Sequence, residues 1–154
     1  MKIGLISDTH DYLDPRVARR FSGVSHILHA GDIGSPVILS ELELIAPVTA
    51  VSGNTDDPCF RYRETQSIEL AGRKFFLQHI VNPHSQDAEL RVAIERQRPD
   101  VVLFGHTHQQ FSERIRDVLF LNPGYSGKPR QGSRRSVAVL HCDEKEIRAE
   151  FLSL

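Results

Sequence analysis

The stretch VVLFGHTHQQ, residues 101–110, sets the reading of this chain. Val101, Val102, Leu103 and Phe104 form an apolar run with the length of a buried strand. The run stops at Gly105, and His106 and His108 follow with one threonine between them. On an extended chain, residues two apart point the same way, so His106 and His108 could address two neighbouring ions from one strand end. The same punctuation recurs upstream. KIGLIS ends in Asp8-Thr9-His10-Asp11, HILHA in Gly31-Asp32-Ile33-Gly34, VTAVS in Gly53-Asn54-Thr55-Asp56, and RKFFLQ in His79.

Between these strands the apolar spacing becomes helical. Asp14-Pro15 reads as an N-cap with proline at the first helical position, and Val17, Ala18 and Phe21 as that helix's inner face. Ser35-Pro36 repeats the signal before Ile38, Leu39, Leu42 and Ile45. Residues 86–97 read as a third helix with Leu90, Ala93 and Ile94 inward and Pro99 closing it. Residues 67–70 and 73–78 around Ala71-Gly72 read as a hairpin. Downstream, strands are expected at 110–115, 118–121, 136–141 and 147–152. Arg116-Asp117, Asn122-Pro123-Gly124 and Asp143-Glu144 mark the turns between them. Strand–helix alternation predicts an α/β sheet with parallel segments, and the last third is antiparallel in character. Two mainly mixed β-sheets packed face to face, with helices outside, satisfy both halves.

The chain's 154 residues suit one domain, 1–154, large enough to bury a core without staples. With 19 basic against 20 acidic residues, nothing suggests nucleic acid held by bulk electrostatics. No apolar run approaches the roughly 18 residues of a membrane span. The N-terminus, MKIGLISD, turns acidic before a signal-peptide core could form. A cytoplasmic location is expected, with Cys59 and Cys142 as free thiols. The expected assembly, if not a monomer, is a homodimer.

Ligands in α/β sheets bind beyond the carboxyl ends of the strands, so residues scattered over a hundred positions can converge there. Asp8, His10, Asp32, Asn54, His79, His106 and His108 offer imidazole, carboxylate and carboxamide, with no thiolate. That mixture suits manganese, iron, zinc, cobalt or nickel better than calcium. Seven ligands are too many for one ion and reasonable for two that share a carboxylate. Each motif alone is ordinary turn chemistry. The ordered set of five strand ends is not.

The set D-x-H, G-D, G-N-x-D, a lone His and G-H-x-H resembles the calcineurin-like metallophosphoesterases, over residues 1 to about 127. Its short length and Asn122-Pro123-Gly124 resemble the small prokaryotic phosphodiesterase branch. The resemblance implies a four-layer sandwich of two sheets flanked by helices. It implies two divalent transition-metal ions per chain, manganese first, with nickel, iron, zinc or cobalt as alternatives. Asp8, His10, Asp32 and His108 would hold one ion; Asp32, Asn54, His79 and His106 the other, with Asp32 bridging. Asp32, Asn54 and His106 would serve catalysis, and Asn54, Thr55 and Tyr125 the substrate. The implied reaction is hydrolysis of a small phosphodiester by a metal-bridging hydroxide, without a protein nucleophile.

Three positions depart from the family pattern. Thr55 stands where many members have a histidine able to protonate the leaving group, and a threonine hydroxyl lacks a suitable pKa. His79-Ile80-Val81 replaces the usual His-Gly-His, which leaves His84 as either a second site histidine or an exposed loop residue. Tyr125 stands where serine is usual, to line the pocket or to pack. Lys128, Arg130, Arg134 and Arg135 form a basic loop, either solvated or turned toward substrate phosphates. His26, His29 and His141 are expected to be structural. The alternative functions are a phosphomonoesterase or cyclic-nucleotide hydrolase on the same ions, a metal-binding protein without catalysis, and a protein-interaction scaffold on the same fold.

Overall fold

The computed structural model describes residues 1–143 and 145–154. Glu144, in the expected turn Asp143-Glu144, lies outside the described residues. Ten strands form two five-stranded sheets. The first runs β10 (Ile147–Ser153), β9 (Ser136–Cys142), β1 (Lys2–Ile6), β2 (His26–His29), β3 (Val48–Ala50). The second runs β4 (Thr65–Leu70), β5 (Arg73–Gln78), β6 (Val101–Leu103), β8 (Val118–Pro123), β7 (Gln110–Ile115). Each sheet is mixed, as expected. β1, β2 and β3 run parallel, as do β5, β6 and β8, while β9, β10, β4 and β7 join by antiparallel pairing.

The four layers follow from period-two burial. Ile3 and Leu5 of β1 meet Val101 and Leu103 of β6 in the core between the sheets. The alternate residues face outward under helices. Ile6 packs with Val17 of α1 (Arg16–Arg20), with Phe21 at that helix's C-cap, and with Ile38 and Leu42 of α2 (Val37–Glu43). Val102 and Phe104 pack with Leu90 of α3 (Ala88–Gln97). Because β6 is covered on both faces, its sequence reads as unbroken hydrophobicity rather than alternation.

Local chemistry explains most boundaries. Asp87 caps α3 by accepting from Leu90 N–H at 2.8 Å, and Arg98 ends it in the left-handed region before Pro99. Ala71 and Gly72 both have positive φ (52° and 71°), as a tight hairpin turn requires. Both proline-marked helices begin one residue later than expected, with Pro15 and Pro36 themselves at the N-cap. The Asn122-Pro123-Gly124 turn is also corrected. Asn122 and Pro123 complete β8, and the chain turns only after them. Proline is tolerated there because it ends the strand. The final third does not form one antiparallel unit: β7–β8 completes the second sheet, while β9–β10 flanks β1 in the first. Among the described residues, no helix is long and apolar enough to cross a membrane.

Candidate metal centre

The parallel strands deliver their carboxyl ends to one edge of the sandwich. Asp8, Asp32 and Asn54 arrive from the first sheet; His79, His106 and His108 arrive from the second. The nitrogen and carboxylate oxygen atoms of Asp8, His10 and His108 lie within 4.8 Å of one another, and so do those of Asp8, Asp32 and His79. Asp8 belongs to both groups. Asp32 Oδ2 also faces both, 3.7 Å from His10 Nε2 and 3.3 Å from His79 Nε2. His108 Nε2 stands 3.3 Å from Asp8 Oδ1. At the exposed rim, His106 Nδ1 and Asn54 Oδ1 meet each other at 3.0 Å.

The loops that hold these side chains are conformationally costly. Asp8, His10, Asp32, His106 and His108 all have positive φ, between 44° and 69°. Non-glycine residues persist in that region only where their surroundings over-determine them, and such positions cluster at functional sites. This corrects the expected geometry of the G-H-x-H stretch. His106 and His108 lie on a left-handed loop beyond β6 rather than on extended chain, so their side chains diverge. His106 turns toward Asn54, and His108 toward Asp8.

Why the run ends on Gly105 is now a matter of space. A Cβ there would lie 2.0 Å from Ser7 Oγ and 2.7 Å from Asp8 Oδ2. Only glycine lets the β6 end approach the β1 end so closely. His106 N–H can then donate to the Asp8 carboxylate, at 3.2 Å to Oδ2. Gly53 plays the same part for Asp32, with a virtual Cβ 2.1 Å from Oδ1.

The two aspartates are buried, and the donors bonded to them are neutral. Asp8 Oδ2 accepts from Ser7 Oγ at 2.5 Å, and Asp32 Oδ1 from Thr55 N–H at 2.9 Å. Their other oxygens point at imidazoles. His79 Nδ1 is committed to the Ala30 carbonyl at 2.7 Å. Nε2 is therefore the atom that faces Asp32 and Asp8, at 3.3 and 3.9 Å. Among the described residues, His10 Nε2 and His79 Nε2 are two of three buried side-chain polar atoms without a hydrogen-bond partner. Burial pushes the Asp8 carboxyl above its usual range, against the lowering effect of Ser7, His79 and His108. Burial works the same way on Asp32, but His79 and the Thr55 N–H outweigh it and hold that carboxyl well below the range. Burial opposes charge on His79, yet Asp32, the Ala30 carbonyl and Asp8 raise its pKa. Burial of Asp8 is thus the effect that the chain's own donors leave uncompensated, and positive charge beside it would relieve that cost. Imidazole and carboxylate around a buried, orphaned nitrogen fit a divalent transition metal. A backbone carbonyl holding the far ring nitrogen is the usual support for a ligating histidine.

The remaining expected residues fall around this centre. Thr55 Oγ1 lies 3.4 Å from His10 Nδ1. Tyr125 is only 1% exposed; it stacks on His108 at 4.7 Å and donates its hydroxyl to the Lys128 carbonyl. His84 is an exposed loop residue paired with Glu113 at 3.0 Å. His29 is structural, its pKa pushed down to about 3 by burial, and it bridges Gly31 N–H and the Thr9 hydroxyl. His26 and His141 bond Thr49 and Glu150. Both cysteines are free thiols.

Several supporting residues escaped the sequence reading. Buried Asn122 donates to the Gly105 carbonyl at 2.8 Å and to Thr107 Oγ1 at 3.1 Å, fixing the histidine loop. Ser126 donates to the Ser7 carbonyl at 2.5 Å. Asp56 accepts from Gly34 N–H at 2.7 Å and Gly53 N–H at 2.8 Å, tying two ligand loops together. The signal for Asn122 and Asp56 was present, since both belong to quoted motifs; what they bond to was not legible.

The comparisons with known proteins agree with this geometry. Residues 1–145 match the calcineurin-like phosphoesterase superfamily domain. A probable metallophosphoesterase of Methanothermobacter thermautotrophicus is 37% identical, with 99% of this chain and 92% of the relative aligned. The solved structure of an archaeal phosphodiesterase is 30% identical with a TM-score of 0.79, covering 99% of this chain and 100% of that one. Vps29 of Entamoeba histolytica, solved with zinc, shares the fold with a TM-score of 0.76 at 20% identity, over 99% of both chains. A two-sheet sandwich with buried carboxylates and unpartnered histidines at its strand ends is what such hydrolases require, and the chain belongs to the calcineurin-like phosphoesterase superfamily of metal-dependent phosphoester hydrolases.

Proposed function

We propose that this chain is a dinuclear-metal phosphodiesterase acting on a small diester in the cytoplasm, as a single domain. The observation that carries the reading is His79. Its Nδ1 is spent on a backbone carbonyl, and its Nε2 faces two buried carboxylates with no hydrogen-bond partner. A neutral imidazole lone pair there would repel both carboxylates, so the arrangement calls for a cation.

Asp8, His10, Asp32 and His108 would hold one ion, and Asp32, Asn54, His79 and His106 the other. Asp32 would be shared between them, since its Oδ2 faces both His10 and His79. Manganese leads the candidates, ahead of nickel, iron, zinc and cobalt. When bound, such ions polarise phosphoryl oxygens and lower the pKa of water to about 7. The chain's own residues hold and exclude. Ser7 and the His106 N–H fix the Asp8 carboxylate; Asn122 fixes the histidine loop. Asn54 and His106, at the open rim, receive the scissile phosphate. Thr55 lies beside them and supplies no proton of suitable pKa, so diesters with good leaving groups are favoured. Tyr125 acts on His108, holding its ring, rather than on the substrate directly. Two free thiols fit a reducing compartment.

The test is turnover of a chromogenic diester by metal-stripped protein with each divalent ion restored, beside Asp32→Asn. Metal counts per chain are taken for both proteins and for Asp8→Asn. Restored turnover that is lost in Asp32→Asn, with two ions per chain in the parent, is the expected result. Two bound ions without turnover under any metal would replace the hydrolase with a binding or scaffold role.

A further inference from the structure

The basic loop after β8 is placed against the metal centre. Residues 118–142 contain no aspartate or glutamate, yet include Lys128, Arg130, Arg134 and Arg135. Arg135 is spent on structure: buried, it bonds Asp14 at 2.6 Å and the Gly127 carbonyl at 2.7 Å. Arg130 and Arg134 are different. Among the described residues neither guanidinium pairs with a carboxylate, and both line a cleft of about 570 Å³. The cleft's inner wall is His108 and Tyr125. These form one stack: His108 lies on the Tyr125 ring at 4.7 Å, and the Arg130 guanidinium lies 5.3 Å from the same ring's centroid. The stack holds Arg130 beside a metal ligand, and the Ser133 hydroxyl braces its loop by donating to the Arg130 carbonyl at 2.8 Å.

We propose that this cleft receives a second phosphate of the substrate, so that the preferred diester is one carrying a further phosphate beyond the scissile bond. This rests on the phosphodiesterase reading above. Arginine forks suit phosphate oxygens, and an arginine already stacked and unpaired loses little freedom on binding. A simple aryl or dinucleoside diester, with one negative charge, leaves the cleft empty.

The experiment compares the dinucleotide TpT with pTpT and TpTp, for turnover by manganese-restored protein and for affinity by calorimetry on metal-free protein. At least one phosphorylated form is expected to exceed TpT by about tenfold or more in both readouts, the scale of one charge-assisted contact. In Arg130→Gln/Arg134→Gln that ratio falls to near one, while Arg130→Lys/Arg134→Lys retains most of it. Equal affinity for all three ligands overturns the cleft assignment, as does a ratio that survives in the glutamine variant. Failure of turnover on every diester, with the affinity ratio intact, overturns the phosphodiesterase reading and leaves the phosphate cleft standing.

Discussion

Asp14 and the Asp8–Asp32 pair are both buried carboxylate sites, and the chain treats them in opposite ways. Asp14 is surrounded by donors from its own chain. Arg16 Nε, Arg16 Nη2 and Arg16 N–H lie at 2.9 Å, and Arg135 Nη2 at 2.6 Å. Asp8 and Asp32 receive only neutral donors, Ser7 Oγ and the His106 N–H on Asp8 and the Thr55 N–H on Asp32, and face imidazoles beyond them. The first site is complete as it folds. The second is complete only when something positive arrives. Burial alone therefore does not mark function; burial with unfinished charge compensation does.

That contrast can be broken in four ways. The largest effect is expected from Asp14→Ala, which leaves Arg135 buried without its partner. Loss of one member of a buried pair costs about 3–5 kcal/mol, read as a lower denaturation midpoint at unchanged slope. A loss below about 1 kcal/mol would mean that Asp14 is no more than a surface contact. Next comes metal. Divalent ion at about 100 times its Kd should stabilise the fold by roughly 2.7 kcal/mol, visible as a higher Tm. The increment should vanish in Asp32→Asn and persist in Arg16→Ala.

A smaller effect is expected from Gly105→Ala. Its Cβ would press on Ser7 Oγ and Asp8 Oδ2, an overpacking cost of about 1–3 kcal/mol. Metal affinity should fall along with stability, because the displaced groups, Ser7 Oγ and Asp8 Oδ2, set the position of the Asp8 carboxylate. Smallest is the pH response of the metal-free protein. Asp14 has a folded pKa below the ordinary value of about 3.9, set first by Arg16. Its contribution is present above pH 4 and is lost as pH falls through the folded value. Asp8 has a raised pKa, so its ionised form opposes folding and acidification relieves that cost. Asp14→Asn should therefore flatten the acid limb of the stability curve, and Asp8→Asn should steepen it.

The positions that gather at the strand ends were legible because each sits where an apolar run meets glycine, aspartate or histidine, and such runs announce buried strands. Ala71-Gly72 and Pro99 were legible for the same local reason. The Asp14–Arg135 bond was not, since its partners lie 121 positions apart and no pattern links them. Nor was the fate of Asn122-Pro123-Gly124. Its residues are those of a turn, but pairing of Gln110 with Pro123 carries β8 through them. The divergence of His106 and His108 was hidden too, because positive φ at histidine is imposed by the packing of neighbouring loops. The division of the last four strands between two sheets depends on long-range partners that periodicity does not encode.

One pairing reaches beyond the finished structure. β1, which leads to Asp8, lies between β2 and β9, with Lys2 opposite His141. β1 thus gains its second neighbour only once residues 136–142 have been made. Until residue 141 has left the ribosome, Asp8 belongs to a half-paired strand with an open edge. The gathering of side chains around Asp8 therefore depends on a strand, β9, that contributes no residue to it.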